Sequence, residues 1–258
     1  MQLLRFILFA LALSGPLTAA PKIWLDDNFA DGERDQQNLP ASAGWFSSSV
    51  GGTLTVTTGA LTQYGGGRYV LAYFAPADAP ARIAPGETLV LTYRITLEHP
   101  LDGPGALRVG LFNSGAQRIV ADKQAQSPDF AGYLGYMGAT NPVPTKNAPL
   151  RLFKRVPGKG TLIANLTSFD AISEPAGSLQ TMQDGETYTG TLTIRRSASG
   201  SSNAITHGFY GNDLRPNQAT AVDSVEPITV FDTVVIHAGT KAAHGFTLKA
   251  VRIETLTD

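Results

Sequence analysis

Leu89-Val90-Leu91-Thr92-Tyr93-Arg94-Ile95-Thr96-Leu97-Glu98 alternates without a break. Leu89, Leu91, Tyr93, Ile95 and Leu97 fall on one side, and Val90, Thr92, Arg94, Thr96 and Glu98 on the other. A period of two is that of a β-strand, so one row packs on a core and a largely polar row faces away. Tyr188, Leu192 and Ile194 alternate in the same way with Thr189, Thr191, Thr193 and Arg195. Further strands are expected over Ile23 to Phe29, Thr53 to Thr58, Arg68 to Phe74, Ala106 to Asn113 and Leu150 to Val156. Two more, Ile228 to His237 and Gly245 to Leu256, close the chain. In the last, the inward row Phe246, Leu248 passes to Val251, Ile253, and this slip of phase near Lys249-Ala250 reads as a β-bulge.

Connectors rich in Gly and Pro separate these segments, including Gly65-Gly66-Gly67, Ala75 to Pro85 and Leu101 to Gly105. No apolar helical stripe runs for three turns after Pro21, and only Ser168 to Gly177 offers room for a short helix. Ser114 to Ala148, rich in Gly, Pro and Asn, reads as elaborated loops. Many strands without alternating helices predict an all-β chain, an antiparallel two-sheet sandwich. No fixed-period repeat and no dividing linker stand out, so residues 21–258 are expected to form one domain.

The first twenty residues read differently. Arg5 precedes an apolar run from Phe6 to Leu13, a breaking patch at Ser14-Gly15-Pro16 and the small residues Thr18, Ala19 and Ala20. This is the layout of a secretory signal peptide over residues 1–20, and the run is shorter than the roughly 20 residues that span a bilayer. A secreted or periplasmic location is the expectation.

Composition narrows the functional classes. Charged residues make up 16% of the 258, against roughly 25% in ordinary soluble domains. Loss of residues 1–20 removes one base and no acid, so the net charge moves from −1 to −2, which gives no footprint for nucleic acid. There is no Cys, which excludes disulfides, a thiolate metal site, a Cys nucleophile and a lipid-anchored lipoprotein.

Two stretches resemble a known family. Leu25-Asp26-Asp27-Asn28-Phe29-Ala30-Asp31-Gly32 leads to Gly44-Trp45-Phe46, then to Gly51-Gly52-Thr53-Leu54-Thr55-Val56 and Gly59-Ala60-Leu61. Val230-Phe231-Asp232-Thr233-Val234-Val235-Ile236 stands near the end. The arrangement is similar to the concanavalin A-like (laminin G-type) jelly rolls of secreted bacterial proteins. That resemblance implies a sandwich with one concave face, as in lectins, glycan-binding modules, glycoside hydrolases and polysaccharide lyases. It also implies a structural Ca²⁺ between the first and last strands, with Asp31 and Asp232 in the matching segments. Asx-turn and capping carboxylates are the alternative reading of the same acids.

Each implied activity meets the residues differently. Retaining glycosidases place two carboxylates roughly 5 Å apart, and no Glu-x-Asp-x-x-Glu or Glu-x-Asp-x-Glu run occurs. A lyase needs a base and a cation beside a uronate. His207 and Tyr210 come closest, but three-residue spacing sends them to opposite faces of a strand. A binding face fits better: Arg151, Phe153 and Arg155 share one side of their strand, Arg108 and Phe112 one side of theirs, and Arg94 a polar row. Guanidinium groups match carboxylate or sulfate, and flat rings pack on sugar C–H surfaces. The loop aromatics Phe130, Tyr133 and Tyr136 either line the mouth of a groove or anchor a long loop. The expectation is therefore a non-catalytic glycan-binding or cell-surface protein, recognising an anionic polysaccharide through Arg94, Arg108, Arg151, Phe153, Arg155, Tyr133 and Tyr136. A lyase or hydrolase with a dispersed site and a structural exoprotein are the alternatives.

Overall fold

The computed structural model describes residues 20–49, 53–101, 106–115, 117–122, 130–158, 162–211 and 214–257. All but the last residue of the expected signal peptide, and Gly51-Gly52 of the opening motif, lie outside these. In chain order the first strands are β1 (Lys22–Asp27), β2 (Trp45–Ser47), β3 (Leu54–Thr57), β4 (Ala60–Tyr64), β5 (Arg68–Tyr73), β6 (Ala81–Arg82), β7 (Glu87–Glu98) and β8 (Leu107–Asn113). There follow β9 (Leu134–Thr140), β10 (Leu150–Arg155), β11 (Phe169–Ala171), β12 (Thr187–Arg196), β13 (Asn203–Gly211), β14 (Leu214–Asp223), β15 (Val230–Phe231), β16 (Thr233–Ala238) and β17 (Gly245–Thr257).

Among the described residues these form two large antiparallel sheets. One has the order β14-β13-β12-β7-β17-β4-β3, with β1 also on β17, and the other β11-β10-β9-β8-β16-β5-β2. The alternating row of β7 is buried as expected, with Leu89, Leu91, Tyr93, Ile95 and Leu97 all in the core between the sheets. The bulge also stands where the phase slips, between Leu248 and Ala250. Its position has a cause: β17 pairs β4 through Leu248 and β1 from Val251 onward, so the strand changes neighbour where it bends.

The opening motif is a hydrogen-bonded knot. Buried Asp27 accepts the backbone N–H groups of Phe29 (2.9 Å) and Ala43 (3.1 Å) and the Trp45 Nε1–H (2.9 Å). Burial raises the Asp27 pKa against these three bonds. Phe29, held at φ 59°, packs its ring 5.9 Å from that of Trp45.

Two expectations fail. Ser114 to Ala148 is not all loop, because β9 lies within it, between β8 and β10. A strand buried on both faces shows no polar alternation, and β9 further conceals itself with glycines. A Cβ at Gly135 would meet the Leu111 carbonyl oxygen at 2.1 Å, and one at Gly138 would meet the His207 ring at 2.3 Å. Ser168 to Gly177 holds no helix beyond the end of a 3₁₀ turn at Leu166–Ser168, after which β11 begins. Asn165 caps that turn by accepting the Thr167 N–H at 2.9 Å. No helix among the described residues is long and apolar enough to cross a membrane.

His207 is a core residue. It reaches from β13 across to β9, where Nε2 meets Thr140 Oγ1 at 2.8 Å, while Nδ1 meets the Thr191 carbonyl at 3.0 Å. Tyr210, its suspected partner, is exposed. Because Gly138 makes room for this ring, Gly138→Ala should overpack the core and cost about 2 kcal/mol. Urea denaturation checks this; a midpoint equal to wild type would show that the sheets part freely there.

Candidate binding site at the rim of the seven-stranded sheet

Both faces of the seven-stranded sheet are covered. Leu107, Val109 and Leu111 of β8 and Leu150 and Leu152 of β10 point into the space between the sheets. The opposite rows meet a second core, in which Phe112, Met137 and Phe153 pack with Phe130, Tyr133, Leu162, Ile163 and Phe169. The alternation expected a solvent-facing row here; instead the connections before β9 and before β11 fold over it.

This cover fixes the fate of most predicted residues. Arg155 is 1% exposed. Its Nε–H donates to the Tyr133 carbonyl at 2.7 Å, one terminal nitrogen to the Leu162 carbonyl at 2.8 Å and the other to that of Phe130 at 2.8 Å. Burial lowers its pKa to about 10, so it stays charged at neutral pH as a clamp on the covering loops. Phe153 lies in the second core. The Tyr133 hydroxyl donates to the Gln117 carbonyl at 2.7 Å and meets the Tyr73 hydroxyl at 2.8 Å. Tyr136 faces the other way and donates to Asp223 Oδ2 at 2.6 Å. Phe130, Tyr133 and Tyr136 are thus anchors and line no groove mouth. Arg94 is exposed on β7 of the eight-stranded sheet and cannot share a surface with Arg108.

The acids placed against Ca²⁺ are engaged with protein donors. Asp31 accepts the Glu33 N–H at 3.1 Å in an Asx-turn. Asp232 accepts the Ser114 N–H (2.8 Å), the hydroxyls of Ser114 (2.5 Å) and Thr233 (2.6 Å), and Arg118 (3.1 Å). No group of three or more His, Asp or Glu among the described residues is arranged to hold a metal ion.

Arg108 and Arg151 remain on one face. Register places them in a single row, Tyr69–His237–Arg108–Ala139–Arg151, across β5, β16, β8, β9 and β10. With strands 4.7–4.9 Å apart, the two arginines stand roughly 10 Å from one another. Arg151 is exposed, donates to the Ser173 carbonyl at 3.3 Å and sits 5.5 Å from the Phe153 ring. Arg108 lines a cavity of about 350 Å³ with Gly67, Ala164, His237, Gly239, Thr240 and Lys241. It donates from one terminal nitrogen to the Ile163 (2.9 Å) and Ala164 (2.7 Å) carbonyls. Gly67, at φ 79°, admits the Thr240 side chain, which a Cβ would meet at 2.6 Å.

The polar chemistry of this row is incomplete. Tyr69 Oη, His237 Nδ1 and Arg108 Nε are buried without a hydrogen-bond partner, three of eight such side-chain atoms among the described residues. Buried polar atoms are nearly always satisfied, and each exception costs about 1–3 kcal/mol. Burial, with the neighbouring Arg108 charge, lowers the His237 pKa to about 3 against a hydrogen bond with the Gly67 backbone, so the ring is neutral at physiological pH. Burial likewise lowers the Arg108 pKa and raises that of Tyr69. Sequence reading missed Tyr69 and His237, although both occupy the outward parity of their strands.

No protein-family model matches the chain, and no curated protein matches it in sequence. Solved structures do. The carbohydrate recognition domain of Emp46p in its potassium-bound form superposes with a TM-score of 0.52 at 12% identity, over 88% of this chain and 94% of that one. Its metal-free form gives 0.50 at 12%, over 88% and 93%. Peanut lectin gives 0.45 at 11%, over 84% and 100%. The chain has a concanavalin A-like jelly-roll fold. Its second core lies on the outer face of the seven-stranded sheet, and the Arg108 cavity lies at the rim of that core.

Two outcomes test the placement of these side chains. Arg155→Met leaves three carbonyls unpaired and should cost at least about 3 kcal/mol; an unchanged melting temperature would show that the loops hold without it. Burial also lowers the His207 pKa, to about 4. An unfolded chain protonates its histidines near 6.5, while the folded one resists until about 4 and 3. Stability should therefore fall as pH drops below about 6.5, by up to about 1.4 kcal/mol per pH unit for each histidine. His207→Gln and His237→Gln, compared with wild type in melts between about pH 7 and 5, should each flatten that slope.

Proposed function

We propose that the protein is an exported, non-catalytic glycan-binding domain that takes an acidic sugar at the cavity beside Arg108 and His237. The observation that carries this is that Arg108 and His237, whose Nε and Nδ1 are buried without hydrogen-bond partners, both line a cavity whose charged lining among the described residues is Arg108 and Lys241. A sugar carboxylate or sulfate would accept from cationic donors, and ring hydroxyls both donate and accept, which suits a neutral imidazole. Arg151, in the same row, would meet a second acidic group of a longer chain. The fold agrees with this reading, since solved structures that share it include the carbohydrate recognition domain of Emp46p. Export follows from the layout of residues 1–20. Binding is favoured over turnover because, among the described residues, no carboxylate lines the cavity, and a histidine held neutral to about pH 3 is a poor base.

Calorimetric titration with a polygalacturonate oligomer, beside neutral dextran, tests the proposal. Wild type should bind the acidic oligomer in preference, and Arg108→Ala should weaken it at least about tenfold, the worth of one charge-assisted hydrogen bond. Lys241→Glu, at an exposed position, should weaken it too without touching the Arg108 bonds to Ile163 and Ala164. Equal affinity for dextran, or variants that bind like wild type, would overturn the assignment.

A further inference from the structure

His99 and His244 come from different connections yet meet at one surface point. His99 follows β7 and His244 precedes β17, and their rings stand edge to face with centroids 5.4 Å apart. Both are exposed. Asp184 grips His99 twice, accepting its backbone N–H at 2.7 Å and meeting its Nδ1 at 3.0 Å. His99 is also one of three non-glycine residues with positive φ among those described, at 46°. Such backbone costs of order 1–3 kcal/mol and tends to mark a position held for function.

We propose that His99 and His244 form a surface site for a divalent transition metal such as Zn²⁺ or Cu²⁺. This inference is independent of the glycan reading. Three observations support it. An imidazole that gives one ring N–H to a carboxylate has its tautomer and orientation set for a metal on the other nitrogen, so Asp184 is a positioning residue that leaves His99 Nε2 as the donor. Zn–N distances of about 2.0–2.1 Å in a tetrahedral site put two imidazole centroids roughly 5 Å apart, close to the separation seen here. The left-handed backbone of His99 falls at this same point. No third His, Asp or Glu among the described residues completes the set, and water taking the remaining positions would make the site an exchangeable one. Imidazole ligands suit Zn²⁺ and Cu²⁺ better than Ca²⁺, which takes oxygen ligands. The other two histidines are buried and do not compete for metal.

The experiment is titration of chelator-treated protein with ZnCl₂ by calorimetry, with Cu²⁺ paramagnetic resonance as a second readout. One metal per chain and nitrogen couplings from two imidazoles are expected. His244→Ala should reduce the affinity at least about tenfold, as should His99→Asn, which keeps a residue tolerant of positive φ. Asp184→Asn should weaken binding about tenfold, the usual effect of losing a carboxylate behind a ligating histidine. Melting temperatures measured without metal report whether each variant is folded. Wild type binding Zn²⁺ no better than the His99→Asn/His244→Ala double variant, or a copper spectrum with a single imidazole nitrogen, would overturn the site.

Discussion

Arg155 is the constraint on which the outer half of the molecule depends. A sheet buried on both faces needs a second core, and irregular connections must supply its lid. Backbone carbonyls in such a lid have no strand partners of their own. Three of them, at Phe130, Tyr133 and Leu162, converge on one guanidinium that rises from β10. Only Arg carries donors in a planar fork able to serve three acceptors from one stem. Burial costs it enough to bring its pKa to about 10, yet it remains a cation. The Phe169 ring, 5.7 Å from the guanidinium carbon, closes the apolar side of the same nest.

The place of the proposed site follows from this lid. Where Phe130, Tyr133 and Phe169 cover the sheet, Arg155 and Phe153 of β10 are consumed by structure. Toward the end where β16 hands over to β17, the carbonyls of Ile163 and Ala164 accept from Arg108. There Arg108 and His237 keep polar atoms without partners beside a cavity, while Tyr69, next in the row, packs against Phe130 in the second core. One face of one sheet is therefore filled in its middle and bordered by a cavity at its rim. The difference lies in which loop reaches which row.

Fold class was legible because β7 and β12 face the inter-sheet core on one side only, so Leu89 to Glu98 and Tyr188 to Arg195 carry a clean period of two. Lys249-Ala250 was legible for the same reason, since a bulge must invert the phase. Leu134 to Thr140 was not legible: its inward residues are Tyr136, Gly138 and Thr140, and its glycines answer to Leu111 and His207, which lie far off in sequence. The parity of Arg108, Arg151, Phe153 and Arg155 was read correctly, and all four share a face. Alternation reports which side a residue takes; it is silent on whether that side is wet. Arg155 and Phe153 were misjudged for that reason, as were Tyr133 and Tyr136, whose spacing of three puts them on opposite faces. Tyr69 and His237 were missed because a constellation built across strands becomes visible only when β5, β16 and β8 are set in register.

The connection from β16 to β17 joins the two proposed sites. Gly239, Thr240 and Lys241 wall the cavity, and His244 closes the same turn. The turn is internally bonded, with Ala242 N–H donating to the Gly239 carbonyl at 2.8 Å, and it is tied to the β7 end, where Leu101 N–H donates to the Ala242 carbonyl and His244 N–H to that of Glu98. A metal that bridges His99 and His244 would cross-link the same two segments and remove freedom from the cavity wall. Whatever a metal contributes to sugar binding in this way, sugar must contribute equally to metal binding, because the coupling free energy is one quantity read from two ends. A rigid turn would make that quantity small, and a turn that shifts between arrangements would make it large. The bonds to Leu101 and Glu98 hold the turn from outside, while Gly67 fits closely around Thr240 from within. The connection is thus restrained on both flanks, so any coupling between the two proposed sites would act through the order of its side chains more than through displacement of its backbone.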